Sequence, residues 1–405
     1  MERVTKENDP QKRDDGSSFS SLSEDLIIEI LLKLPTKSIP KLVVVSKLLS
    51  SIIRSKHFID LYLKQQSLTR PCFLLSFHRD SVRFFHSIPL QSLEAASPSS
   101  SYTGTTSSFP LSLNTRLYPL SYNVSPPVRG LICFQDLDKV VVSNLGTGQF
   151  LVLPKLNTRR RRITRFLGYD PVKDEYKVLC MTVLKLSGPV VSEEHQVFTL
   201  GGGAQKKEKE EATWRIIECK VPHCPATNGI CMTKNGVIYY GAWSTRDRAT
   251  RGSLIVCFDV RSEDFTLVKL PNGVEIDGGD TDQSELVNYQ GKIALLNNSW
   301  VQNIYYGRFD MWVLEDIGVK PEWSKISIVV PSWKDLVGKR ILDCRGAILS
   351  SGEFIFSPVY SDSPFSIISY DREKDFGRKV VIEGLGDNLC SVSLFLDHVE
   401  CPILL

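Results

Sequence analysis

Between Leu22 and Pro35 the apolar residues recur at helical spacing, and Leu26, Ile27, Ile30, Leu31 and Leu34 fall on one broad face. Ser23 ahead of this run suits an N-cap. Glu24 and Asp25 put negative charge in the first turn, where the helix dipole favours it, and Leu22 is placed to pack on Ile27. Pro35 ends the helix. A second helix is predicted after Ser38, which can cap it, with Pro40 in its first turn and Leu42, Val45, Leu49, Ile52 and Ile53 as its apolar positions. A third, from Lys56 to Gln65, turns Phe58, Leu61 and Tyr62 inward. Three helices this short bury too little to stand alone, yet carry more apolar side chains than they can hide. Either they cap the domain that follows, or the surplus forms a partner surface.

From Pro71 onward the texture changes to short Val/Ile/Phe/Tyr/Leu runs separated by Gly, Asn, Asp, Pro and Ser, the pattern of many strands joined by turns. Strands are predicted at 72–77, 130–134, 140–143, 150–153, 176–183, 214–219, 237–241, 253–258, 267–270, 292–296, 310–314, 353–356 and 365–370. One strand recurs behind a glycine: Gly236-Val-Ile-Tyr-Tyr, Gly291-Lys-Ile-Ala-Leu and Gly352-Glu-Phe-Ile-Phe, with Gly130-Leu-Ile-Cys-Phe earlier. The repeat of roughly 50–60 residues, several strands to a unit, points to a kelch-like β-propeller of about six blades. A pair of large β-sandwiches is the fallback. The predicted organisation is a polar disordered tail over 1–18, a small all-α unit over 19–65, a connecting segment with first strands and a Ser-rich loop over 66–128, and the large all-β domain over 129–400.

Composition narrows the function classes. The chain has 405 residues, 42% hydrophobic and 23% charged, with a formal net charge of +3. Near-neutrality on this length argues against a dedicated nucleic-acid or membrane-surface protein. The polar N-terminus lacks the apolar core of a secretory signal, and no run approaches the roughly 18 apolar residues of a membrane span. The ten cysteines are scattered without a C-x-x-C pair, the usage of reduced thiols in the cytosol or nucleus.

The run LSEDLIIEILLKLPTKSIPKLVVVSKLLSSIIRSKHFID resembles an F-box along its whole length, at Leu22, Asp25, Leu26, Ile30, Leu31, Leu34, Pro35, Ser38, Val45, Ser46, Lys47, Ile52, Ile53 and Phe58. It departs from the family at Ser23, where Pro is usual, and at Leu49, where Trp is usual, and each change is expected to remove some adaptor contact area. Phe166-Leu-Gly-Tyr-Asp-Pro-Val-Lys-Asp-Glu-Tyr-Lys-Val-Leu-Cys-Met181, with Arg129-Gly-Leu-Ile-Cys-Phe134, resembles the type 3 F-box-associated β-propeller of plant F-box proteins. The resemblance implies a substrate receptor of a Skp–cullin–F-box ubiquitin ligase. Leu22, Asp25, Leu26, Ile30, Leu31, Leu34, Pro35, Val45 and Ser46 would then bind a Skp-type adaptor, and through it cullin and RING subunits. The β-domain would bind an unidentified target protein. A propeller that binds peptide or sugar behind a degenerate F-box is the alternative.

No residues demand a cofactor, a metal or catalysis. Cys219, His223, Cys224 and Cys231 cluster, but their spacing fits no structural zinc pattern, and they read as ordinary thiols. His57, His78, His86, His195, His223 and His398 lie in no nucleophile or metal motif. Arg159 to Arg162 with Arg165 read as a solvated loop, with nuclear import or phosphate binding as the sharper alternatives; no aromatic residues interleave with them, so nucleic-acid binding is not favoured. The 201–211 glycine and charge run, the Ser-rich 97–108 stretch and the acidic 277–282 stretch are assigned to inter-strand loops.

Overall fold

In the computed structural model Ser23 caps α1 (Glu24–Lys33), its side chain accepting from the Leu26 amide at 3.4 Å. The structure describes residues 22–79, 82–90, 105–110, 124–136, 139–156, 158, 162–183, 194–200, 213–226, 229–232, 234–244, 252–276, 282–299, 306–316, 321–358, 364–385 and 389–405. The predicted tail at 1–18 lies outside them.

The predicted second helix is two. A short α2 (Ile39–Leu42) stops at Val43, and α3 (Lys47–Arg54) restarts behind Ser46, whose extended backbone and side-chain bond to the Leu49 amide at 3.1 Å make it the cap. Ser38 makes no side-chain cap bond. The apolar spacing from Leu42 through Leu49 suits one continuous helix, but Ser46 takes the backbone amide that such a helix would use. The last helix, α4 (Lys56–Thr69), runs one turn past the predicted end. Ile27, Leu31, Ile39, Leu49, Ile53, Phe58 and Tyr62 close into one core.

The remaining strands form six sheets. Blade 1 holds β1 (Cys72–Arg79), β2 (Val82–Pro89), β3 (Thr105–Pro110) and, paired to the free side of β1, β24 (Cys390–His398). Blade 2 holds β4 (Leu131–Asp136), β5 (Lys139–Asn144) and β6 (Gln149–Val152), with Val124 bridged to Phe134 in place of an innermost strand. Blade 3 holds β7 (Arg162–Asp170), β8 (Glu175–Val183), β9 (Glu194–Leu200) and β10 (Arg215–Ile217). Blade 4 holds β11 (Cys224–Pro225), β12 (Ile230–Met232), β13 (Val237–Trp243), β14 (Ser253–Asp259) and β15 (Phe265–Val268). Blade 5 holds β16 (Asp282–Tyr289), β17 (Lys292–Ser299), β18 (Arg308–Asp316) and β19 (Glu322–Val329), and blade 6 holds β20 (Leu342–Ala347), β21 (Phe354–Pro358), β22 (Ser366–Asp371) and β23 (Phe376–Val381). A one-turn helix, α5 (Trp333–Val337), links the last two.

Alternation explains how these sheets close into a propeller. Successive strand residues point to opposite faces. Thus Tyr239 packs with blade 5 while Tyr240 packs with blade 3, and Ile355 packs with blade 1 while Phe356 packs with blade 5. Both faces of the central strands are covered, so they read as continuous apolar runs and not as alternating ones. An apolar cluster fills the seam between every neighbouring pair of blades, including blades 1 and 2 through Leu74, Phe85, Ile132 and Phe134, and the ring is complete.

The sequence repeat marks one turn of this ring. Gly130, Gly236, Gly291 and Gly352 all have positive φ, between 71° and 84°, and each opens the second strand of its blade. Two expectations need correction. The first strands expected within 66–128, Cys72–Arg79, Val82–Pro89 and Thr105–Pro110, belong to a blade, so the boundary drawn at 129 falls inside the propeller, and the end of the Ser-rich stretch is β3. Arg162 and Arg165 lie in β7, where Arg165 is buried and its pKa is lowered by that burial, so this part of the arginine run is not a solvated loop. Arg159 to Arg161 lie outside the described residues, as do residues 97–104, 201–211 and 277–281.

Candidate adaptor-docking surface

On α1 the faces divide sharply. Ile27, Ile28 and Leu31 point into the helical core, while Leu26 and Ile30, spaced four apart and therefore aligned along the helix, face solvent, as does Leu22 just ahead of the cap. Leu26 is 49% exposed and Leu31 only 2%, so Leu31 supports the surface from behind and is not itself available to a partner. Beyond α2 two valines of the break are strongly exposed, Val44 at 89% and Val45 at 60%, and Leu48 in the first turn of α3 is exposed beside them in sequence. Asp25 and Pro35 are exposed, whereas Leu34 and Ser46 are half-buried. The Leu34 carbonyl accepts from Tyr62 Oη at 3.2 Å, and Ser46 is occupied as the α3 cap.

Val44 and Leu48 escaped the helical spacing read from sequence. The signal that would have found them is the three-valine run Val43 to Val45, which cannot all turn inward from a single turn. Leu49, by contrast, is 3% exposed and sits in the helical core. Its departure from the family pattern therefore changes packing beneath the surface and removes no exposed contact area. Ser23 is exposed and spends its side chain on capping.

This surface is held rigidly against one end of the propeller. Lys56 on α4 donates to the Pro171 carbonyl in the β7–β8 turn. Asp60, also on α4, pairs with Arg129 at 2.6 Å, and the Arg129 guanidinium lies 4.3 Å from the Tyr169 ring centroid. Burial opposes the Arg129 charge, but Tyr176, Tyr169 and Asp60 together raise its pKa. Tyr62 and Thr36 hydroxyls meet at 2.9 Å, and Thr36 also bonds Glu400, whose pKa burial raises against that bond.

The segment after β24 forms the floor of the joint. Cys401 is fully buried in the helical core, next to Gly130 and Gly146 of blade 2. The Asn144 amide donates to the Cys401 carbonyl at 2.9 Å and the Ile403 carbonyl at 2.6 Å. Helices, tail and blade 2 thus share one packed interior.

His57 is exposed on α4, and the other five histidines behave as core groups. His78, His195 and His398 are buried and neutral, with pKa values lowered by burial to about 3, about 4 and about 4. Cys219 and His223 come together with His195, which sequence spacing did not reveal because it lies on another strand; their ligand atoms are all within 4.8 Å of one another. Cys224 is buried with its thiol toward the Pro225 carbonyl, and the Cys231 side chain lies outside the described residues. Among the described residues no helix is long and apolar enough to cross a membrane.

Comparison with known proteins agrees with both halves. Residues 19–61 match the F-box domain, and residues 72–399 match the F-box associated beta propeller domain. The chain is 39% identical to the F-box/kelch-repeat protein At3g04660 of Arabidopsis thaliana over 98% of this chain and 96% of that one. It is 34% identical to the F-box protein DOR over 95% and 94%, and 35% identical to the putative F-box protein At1g70960 over 96% and 100%, both also from Arabidopsis thaliana. With an F-box braced on a six-bladed propeller, and with relatives of this kind along nearly its whole length, the chain belongs to the plant F-box proteins that carry an F-box-associated β-propeller domain.

Proposed function

We propose that the chain is a substrate-receptor subunit of a Skp–cullin–F-box ubiquitin ligase. The observation that carries this reading is the exposed apolar set Leu22, Leu26, Ile30, Val44, Val45 and Leu48 on helices whose other faces are already packed. A surface so placed lowers its free energy by meeting an apolar partner, at about 25 cal/mol per Å² removed from water. An F-box implies that this partner is a Skp-type adaptor, and through it cullin and RING subunits would follow.

Target recognition is assigned to the opposite end of the propeller. The helices contact the β7–β8 and β5–β6 turns, and antiparallel alternation puts the C-terminal ends of β1, β8, β13, β17 and β21 at the other end. A target bound there stands clear of the adaptor while sharing one rigid body with it. The chain contributes no catalytic group in this reading. It contributes proximity, which converts a bimolecular encounter into an effectively intramolecular one.

The test is a pull-down of the full chain with a purified Skp-type adaptor, wild type beside Val45→Asp. Binding by wild type, lost in the folded variant, supports the assignment. Failure of well-folded wild type to bind would favour a propeller module behind a degenerate F-box.

A further inference from the structure

The seam between blades 3 and 4 holds a cluster that the proposed function does not use. His195 comes from β9, Cys219 follows β10, and His223 precedes β11. Both imidazoles are buried, Cys219 is half-buried, and the His195 and His223 rings lie against Phe265 at centroid distances of 5.3 and 6.0 Å. Cys219 Sγ and His223 Nδ1 are 4.0 Å apart, and both donate to the Val221 carbonyl, at 3.2 and 2.7 Å.

We propose that His195, Cys219 and His223 form a three-ligand site for Zn²⁺. One sulfur and two imidazole nitrogens, with no carboxylate among them, are a donor set for a borderline-soft cation and not for Ca²⁺ or Mg²⁺. Zinc bonds of about 2.3 Å to sulfur and about 2.0 Å to nitrogen put tetrahedral S and N ligands about 3.6 Å apart. The Sγ–Nδ1 separation of 4.0 Å must close by about 0.4 Å, and all three ligand atoms, now within 4.8 Å of one another, must draw together around the ion, with Cys219 in irregular backbone.

The protons balance. Cys219 releases its thiol proton to solvent as the S–Zn bond forms. His223 keeps its proton and moves it from Nδ1 to Nε2, freeing the Nδ1 lone pair. The Nε2–H then donates to Tyr240 Oη, 2.7 Å away, and the Tyr240 hydroxyl hydrogen turns to Met181 Sδ at 3.7 Å. The other nitrogen of a ligating histidine needs such a partner to fix its tautomer. The half-buried side at Cys219 leaves the fourth position to water. With ligands drawn from both blades, the ion would pin this seam.

The full chain, reduced and stripped with chelator, should be titrated with Co²⁺ as a spectroscopic substitute and then with Zn²⁺. One equivalent of Co²⁺ should give thiolate-to-cobalt charge-transfer absorption, Zn²⁺ should abolish it, and saturating Zn²⁺ should raise the unfolding temperature. Cys219→Ser should remove the absorption and His195→Gln should weaken binding at least tenfold, while Cys224→Ser should leave it intact. The proposal is overturned if folded wild-type chain shows no thiolate band at saturating Co²⁺. A band that persists in Cys219→Ser overturns it equally, because another thiol would then be the ligand.

Discussion

The Asp60 carboxylate on α4 and the Arg129 guanidinium at the entry to β4 meet at 2.6 Å, an ion pair that joins the F-box to the propeller. Arg129 is the less exposed partner, and its backbone has a positive φ of 50°. Orientation of the helical unit is therefore a side-chain matter as well as an apolar one.

Removing Asp60 should loosen this joint. Asp60→Ala leaves a largely buried guanidinium with only its tyrosine neighbours and should cost about 1–3 kcal/mol. A double-mutant cycle with Arg129→Met, followed by urea unfolding, should show a coupling of at least about 0.5 kcal/mol. Strict additivity would mean that the pair does not set the joint.

Two glycines at equivalent turns of different blades should respond differently to alanine. Gly291 has φ of +79° and open space around a new Cβ, so Gly291→Ala should cost only backbone strain, about 1 kcal/mol. Gly130 has φ of +84°, and a Cβ there would come within 2.4 Å of Cys401 Cβ and 2.9 Å of the Val399 carbonyl. Gly130→Ala should therefore lose about 3 kcal/mol or more, from strain and overpacking together. Thermal unfolding of the two variants measures the difference.

Surface and support should separate in a pair of F-box variants. Val45→Asp should change stability by no more than about 0.5 kcal/mol while abolishing adaptor binding. Leu31→Ala, in the core, should cost about 2–5 kcal/mol and weaken binding only through unfolding. Leu34 is less suitable for a charge, because it is half-buried and its carbonyl holds Tyr62.

The helical unit was legible in sequence because its caps and spacing are local. The repeat was legible through Gly236, Gly291 and Gly352, since the turn takes positive φ at one place in each of blades 2 to 6. What escaped was non-local. Nothing in Cys390–His398 says that it pairs with Cys72–Arg79 at the far end of the chain. β7 was hidden because arginines interrupt its apolar run, yet Arg165 is carried inside by its strand. The adaptor surface was half legible: spacing grouped Leu26 and Ile30 with Leu31, but only the packing of α3 and α4 decides which of them face water.

Acid should weaken the fold through His398. Its folded pKa, lowered to about 4 by burial, lies below the ordinary 6.5. Between those values the unfolded chain takes up a proton that the native state refuses, so stability present above pH 6.5 is lost as pH falls, by up to about 1.4 kcal/mol per unit. Neighbouring Asp397, pushed up to about 6 by burial, acts in the opposite sense. Stability measured against pH for wild type and His398→Phe isolates the histidine, and the variant should show the shallower slope between pH 6.5 and 4. Parallel curves would show that His398 does not titrate on unfolding.

Closure of blade 1 by β24 has a consequence for synthesis. As the chain leaves the ribosome, β1 to β3 emerge early and wait with an unpaired inner edge until Cys390–His398 follow. The helices wait as well, because Cys401 completes their floor. A nascent chain interrupted upstream of β24 would present both an open strand edge and an uncovered helical core, the kind of surface that chaperones and proteases act on. Completion of the ring and seating of the F-box would then be one late event, and a prematurely terminated chain would be removed before it could occupy an adaptor unproductively.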